Sequence, residues 1–162
     1  MKFKKVCVMA LCAFLLTLIF SGTVQSASEE TQNVYNIEYG GLIVDITAPI
    51  QAYPGENIIV TVTTQAVTQI DIEYIYVTIY GLSNATNEVT LSAITHLEDT
   101  SLTFHEAQYN ITIPDDISPG LTYGIISCEW DFMGSNQKIL PSGFALTYIQ
   151  NIALEQLQTK YD

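Results

Sequence analysis

The stretch AYPGENIIVTVTT, Ala52 to Thr64, sets a tight turn directly before a run of apolar residues and threonines. Proline fixes φ at the second position of a turn and glycine accepts positive φ at the third, so Tyr53–Glu56 reads as a type II turn. Proline cannot donate to a ladder, and it stops whatever strand precedes it. Val60 and Val62 then alternate with Thr61 and Thr63, the period-two pattern of a strand with one buried face. The device recurs in ISPGLTYGIIS, where Ser118–Leu121 fits a second type II turn before another apolar run. Turns set in advance lower the entropy of the unfolded chain and pin strand register.

Outward from these turns, short runs rich in Val, Ile, Thr and Tyr are broken by turn residues at close intervals. That spacing predicts an all-β sandwich or barrel. Strands are expected at 36–48, 57–66, 69–81, 88–97, 102–113, 121–133 and 144–150. In the first, Leu42, Val44 and Ile46 alternate with Ile43, Asp45 and Thr47. The third changes phase: Ile70 and Ile72 face in, then Ile75, Val77 and Ile79 take that role. A period of two cannot slip by one without an extra residue, so a bulge is expected near Glu73–Ile75. The fourth puts Val89, Leu91, Ala93 and Leu97 on one face, and the fifth ends with Tyr109, Ile111 and Ile113 inward. GSNQKILPSG reads as a loop before the seventh.

The chain opens with Lys2, Lys4 and Lys5, followed by an apolar run over 6–20. Val24 and Ser26 supply small residues at the spacing of a signal-peptidase site, so 1–26 reads as a secretory signal. The alternative is an uncleaved membrane anchor; in either case the remainder is exported. Residues 27–35 read as a polar tether, 36–150 as the sandwich and 151–162 as a helical tail. Beyond residue 26 the chain has two Lys, no Arg and all seventeen acids, a net charge of −15. Phosphate binding needs Lys and Arg, so nucleic acid is excluded as a partner and anionic lipid is disfavoured. Only Cys128 remains, so no internal disulfide forms. Ile126, Cys128, Trp130 and Phe132 alternate with Ser127, Glu129 and Asp131, which turns Cys128 inward beside the only Trp. A buried thiol is expected there, with an intermolecular disulfide as the alternative.

PGENIIVTVTT, followed about fifty residues later by YNITIPDDISPGLTYGIIS, resembles the immunoglobulin-like β-sandwich domains of archaeal and bacterial cell-surface proteins. Pro54, Gly55, Glu56, Pro114, Gly120 and Tyr123 occupy the positions that carry the resemblance, which covers about residues 37–150. It implies a seven-stranded antiparallel sandwich and a role as spacer, adhesion module or surface-layer part. It implies no ligand site, and the disulfide of antibody domains is missing.

No nucleophile elbow, phosphate-cradling loop or cysteine-pair metal motif is present, so no catalysis is expected. Tyr74, Tyr76 and Tyr80 share one face of the third strand. They read as an exposed stripe for a protein or a carbohydrate partner, or as rings packed along neighbouring strands. His96 and His105 flank the turn EDTS, and a hairpin pairing Leu97 with Leu102 would set them diagonally on one face near Glu98 and Asp99. Two imidazoles and a carboxylate suit zinc or copper, although two exposed hairpin histidines are the commoner arrangement. The loop acids Glu98-Asp99 and Asp115-Asp116 could supply oxygens to calcium, but no spaced calcium loop is present. Asn84 and Asn110 begin glycosylation sequons. After Asn151, a candidate N-cap, Leu154, Leu157 and Tyr161 fall at i, i+3 and i+7. This tail is expected either to fray or pack on the sandwich, or to self-associate as the first heptad of a stalk. The leading expectation is an exported, non-catalytic cell-envelope module with a structural, adhesion or interaction role. A carbohydrate-binding module and a metal-binding protein are the alternatives.

Overall fold

A computed structural model describes residues 30–66, 70–97 and 103–161. The expected signal at 1–26, with Glu98 and Asp99, lies outside the described residues. Among those described are nine strands and one helix: β1 (Thr31–Tyr39), β2 (Leu42–Pro49), β3 (Gln51–Ala52), β4 (Asn57–Ala66), β5 (Asp71–Ser83), β6 (Asn87–Leu97), β7 (Phe104–Thr112), β8 (Gly120–Phe132), β9 (Ser135–Ile149) and α1 (Ile152–Tyr161). One sheet runs β1-β2-β4-β7 and the other β3-β9-β8-β5-β6. The all-β class stands; the strand number does not.

Nine strands replace seven because the first divides and β3 is added, and the last is longer than expected. The expected first strand is a hairpin, because Gly40 and Gly41 both take positive φ and pair Tyr39 with Leu42. Its outer arm, β1, starts at Thr31, inside the stretch read as a tether. The short β3 adds to β9 in parallel, so the sheets are not wholly antiparallel. Most of GSNQKILPSG is strand. Met133 and Gly134 have φ of 54° and 76° between the paired Phe132 and Ser135. Two positive-φ residues in a two-residue loop make a hairpin turn that matches strand twist. Pro141 concealed this strand from the sequence. It is tolerated because the ladder skips it, passing from Ile126–Ser142 to Cys128–Ile139, and because proline is admitted at bulges and edges.

The core lies between the sheets. Val44, Ile46, Ile58, Val60 and Val62 from one sheet meet Ile72, Ile75, Val77, Ile79, Ile126, Trp130 and Leu146 from the other, all fully buried. The bulge in β5 falls at Glu73, where the ladder to β8 jumps from Ile72–Trp130 to Tyr74–Glu129. It lets Ile70 and Ile72 share the inward face with Ile75, Val77 and Ile79. A bulge in β6 was not legible. The ladder passes from Ser92–Ile79 to Thr90–Tyr80, stepping over Leu91. As a result Ile94 faces in and Ala93 faces out, contrary to the simple alternation.

Both Pro-Gly corners lie at the end where the sandwich begins and finishes. Gly55 has φ of 80° and Glu56 N–H donates to Tyr53 C=O at 3.1 Å, a type II turn. The second corner differs. Ile117 N–H donates to Pro114 C=O at 3.3 Å and Ser118 N–H to Leu82 C=O at 2.7 Å. The chain therefore turns at Pro114–Ile117, while Gly120, with φ of 138°, already pairs with Ile149.

Candidate functional site

The inward set of β5 dictates its outward set. With Ile75, Val77 and Ile79 in the core, Tyr74, Tyr76, Thr78 and Tyr80 point away from it. Across the ladder, Tyr80 meets Tyr123, Thr78 meets Ile125 and Tyr76 meets Ser127. Tyr80 and Tyr123 stack with centroids 5.3 Å apart and planes inclined by 19°. Tyr76 stays 42% exposed, whereas Tyr74 and Tyr80 are half-buried. The rings thus differ: Tyr80 packs along its neighbour and Tyr76 is open. Beside the stripe, Glu129 accepts from Lys138 Nζ at 3.0 Å and Asn136 Nδ2 at 3.1 Å. The lysine bond first, then the asparagine bond, holds this carboxyl below the usual carboxylate range. Tyr123 belongs to the same face. In sequence it figured only as a mark of the fold, because nothing local shows which strand lies beside it.

The two histidines also meet, by a route different from the expected one. β6 and β7 do not form a hairpin; they are edge strands of opposite sheets. The chain leaves one sheet at Leu97 and enters the other at Phe104, and His96 and His105 face each other across the gap. His105 Nδ1 lies 3.4 Å from His96 Nε2, with ring centroids 4.9 Å apart and planes inclined by 67°. His96 Nδ1 lies 2.9 Å from the Tyr109 hydroxyl, which reaches Thr95 C=O at 3.5 Å. His96 is only 7% exposed. Burial first, and His105 second, push its pKa down from 6.5 to about 4, so it is neutral at pH 7. Burial raises the Tyr109 phenol. Opposite His105 in the β4–β7 ladder stands Thr64, buried, whose Oγ1 has no hydrogen-bond partner among the described residues. The inward place of Thr64 was readable from the alternation Val60, Val62, Thr64. Its nearness to a histidine was not.

Among the described residues, no three His, Cys, Asp or Glu side chains group together. Asp115 and Asp116 occupy the Pro114–Ile117 corner, where a side chain at Gly55 would collide with the Asp115 carboxylate. Asn84 sits at φ 51° in the β5–β6 turn, and Asn110 is exposed on the outer face of the four-stranded sheet. Cys128 is fully buried, and burial pushes its thiol up to about 12, so an intermolecular disulfide does not fit. The tail is helical and capped, with Leu154 N–H donating to Asn151 Oδ1 at 3.2 Å. Ile152, Leu154, Leu157 and Tyr161 are all exposed.

No protein family and no curated protein sequence matches the chain. Among solved structures, it is similar to Spo0M, a sporulation control protein from Bacillus subtilis, at 17% identity and a TM-score of 0.47, over 75% of this chain. The chain spans only 56% of that protein's length. It is also similar to a superoxide reductase (neelaredoxin) from Ignicoccus hospitalis, at 13% identity and a TM-score of 0.38, over 66% of this chain and 80% of that one. Likenesses this distant carry nothing about activity.

Proposed function

We propose that this chain is an exported, non-catalytic module of the cell envelope, and that the outer face of its five-stranded sheet docks a protein partner. The observation that carries the reading is the Tyr74–Tyr76–Tyr80 row, extended across the ladder by Tyr123 and Ile125. Tyrosine gives large contact area at low entropic cost, and aromatic residues are enriched at interface centres. Stacking of Tyr80 on Tyr123 uses up ring faces that a sugar would need, which favours a protein over a carbohydrate. With a net charge of −15 beyond residue 26, the partner presents a cationic rim. The apolar run at 6–20 behind Lys2, Lys4 and Lys5 supports export.

The test is a photo-cross-linking residue placed at Tyr76 in one variant and at Gln108, on the opposite outer face, in another. A single protein adduct formed in cells at position 76, absent at 108 and lost when Tyr80 is changed to Glu, supports the reading. Equal adducts at both positions, adducts at neither, or saturable oligosaccharide binding that Tyr76→Ala abolishes would overturn it.

A further inference from the structure

We propose that His96 and His105 together chelate one divalent late first-row transition ion, zinc(II) or copper(II), at the seam between β6 and β7. The distance supports this. Two imidazole nitrogens, each about 2.0–2.1 Å from a tetrahedral ion, stand about 3.4 Å apart. His96 Nε2 and His105 Nδ1 stand 3.4 Å apart. That separation exceeds the usual 2.7–3.2 Å or so of a strong hydrogen bond. The ring centroids, at 4.9 Å, are closer than two rings aimed nitrogen to nitrogen along one line would be. The approach is inclined, as chelation of a single ion requires.

The surroundings fit the same role. A histidine ligand ordinarily gives its second ring N–H to a fixed oxygen, which sets tautomer and orientation. Here Tyr109 Oη, 2.9 Å from His96 Nδ1, takes that N–H, and its own hydroxyl is directed to Thr95 C=O. His96 Nε2 then carries a free lone pair toward His105. Tyr109 is the positioning residue. Buried polar atoms normally have a partner, and Thr64 Oγ1, opposite His105, finds none among the described residues. Water on the ion would supply one. Among the described residues the two imidazoles are the ligands, with no third His, Cys, Asp or Glu beside them. Nitrogen ligands suit zinc and copper, with copper(II) the tighter. The histidines come from different sheets, so the ion ties the sandwich together on that side.

Zinc(II) and copper(II), each as the simple salt, are titrated into the exported chain at pH 7.5 and followed by calorimetry. Copper(II) is also followed by electron paramagnetic resonance. One saturable ion per chain and hyperfine splitting from two nitrogens are expected. Binding disappears in His96→Ala and in His105→Gln. Because His105 is half-buried on an edge strand, the second variant folds, as near-ultraviolet dichroism of Trp130 will report. Tyr109→Phe weakens binding about tenfold, and replacing Asp115 and Asp116 by Asn changes nothing. Binding that survives in a folded His105→Gln, a copper spectrum with oxygen ligands only, or no saturable binding of either ion would overturn the proposal.

Discussion

Between β1 and β9 the gap at the side of the sandwich is filled by rings, whereas between β6 and β7 it is filled by two imidazoles and a phenol. On the first side Tyr35 packs on Phe144 at 5.4 Å, Tyr39 meets Trp130 edge-on at 6.0 Å, and Trp130 Nε1–H donates to Gly40 C=O at 3.0 Å. On the second, His96 bridges His105 and Tyr109. Both sides solve one problem: two twisted sheets leave an opening where their edge strands diverge. On the first side rings close it chiefly by burial, with the Trp130–Gly40 bond beside them, a contribution indifferent to pH and metals. Titratable rings close it only while they hold the right protons. One architecture thus contains an inert seam and a responsive one.

The largest expected effect is on the inert seam. Trp130→Ala removes a fully buried indole and its bond to Gly40, and should cost about 3–5 kcal/mol. Urea unfolding should show the same loss at pH 5 and pH 8. A loss below about 1 kcal/mol, small for emptying a core site, or one that changes strongly with pH, would mean that the seam is not closed by packing.

The responsive seam should answer to acid. His96 is neutral in the fold, with a pKa near 4, against 6.5 when unfolded. The unfolded chain therefore binds the extra proton first, so stability is full above about pH 6.5 and falls as pH drops toward 4. The loss is on the order of 2–3 kcal/mol, from about 1.4 kcal/mol per pKa unit reduced for partial solvent access. His105 and Tyr109 face His96, and the chain carries many acidic groups elsewhere. The measurement is accordingly the difference between the parent chain and His96→Gln across pH 4–7.5, with a chelator present. The parent should show the steeper decline over that window. Parallel curves would remove the contrast between the seams.

The core between the seams was more legible in sequence than either seam: β1 and most of β9, which flank the inert one, were read as tether, single strand and loop. Trp130 and Cys128 followed from strict alternation along β8, and the β5 bulge from a visible change of phase between Ile72 and Ile75. These are local signals, carried by neighbours in the chain. The histidines are separated by only nine positions, which suggested a hairpin. Their contact instead depends on the chain leaving one sheet after Leu97 and entering the other at Phe104, a choice set by where the whole core closes. The tyrosine stripe was readable on β5, but Tyr123 joined it only through sheet order. The strand hidden in GSNQKILPSG was masked by Pro141, a residue that usually rules out a strand and here sits in a bulge.

The finest test applies one chemical change to both sides. Tyr109→Phe deletes the hydroxyl 2.9 Å from His96 Nδ1 and leaves a buried ring nitrogen without that partner. A lost bond of this kind costs about 1 kcal/mol, with a further contribution where the remaining group is buried. That corresponds to a fall in Tm of about 3 °C in a chain of this size. Tyr35→Phe deletes a hydroxyl on the other side, but the ring keeps its packing on Phe144, so its effect should stay within about 0.5 kcal/mol. Calorimetric scans of the two variants at pH 7.5 decide the matter. If Tyr35→Phe proves as costly as Tyr109→Phe, the ring-filled side also relies on polar contacts, and the division between the two seams fails at its smallest scale.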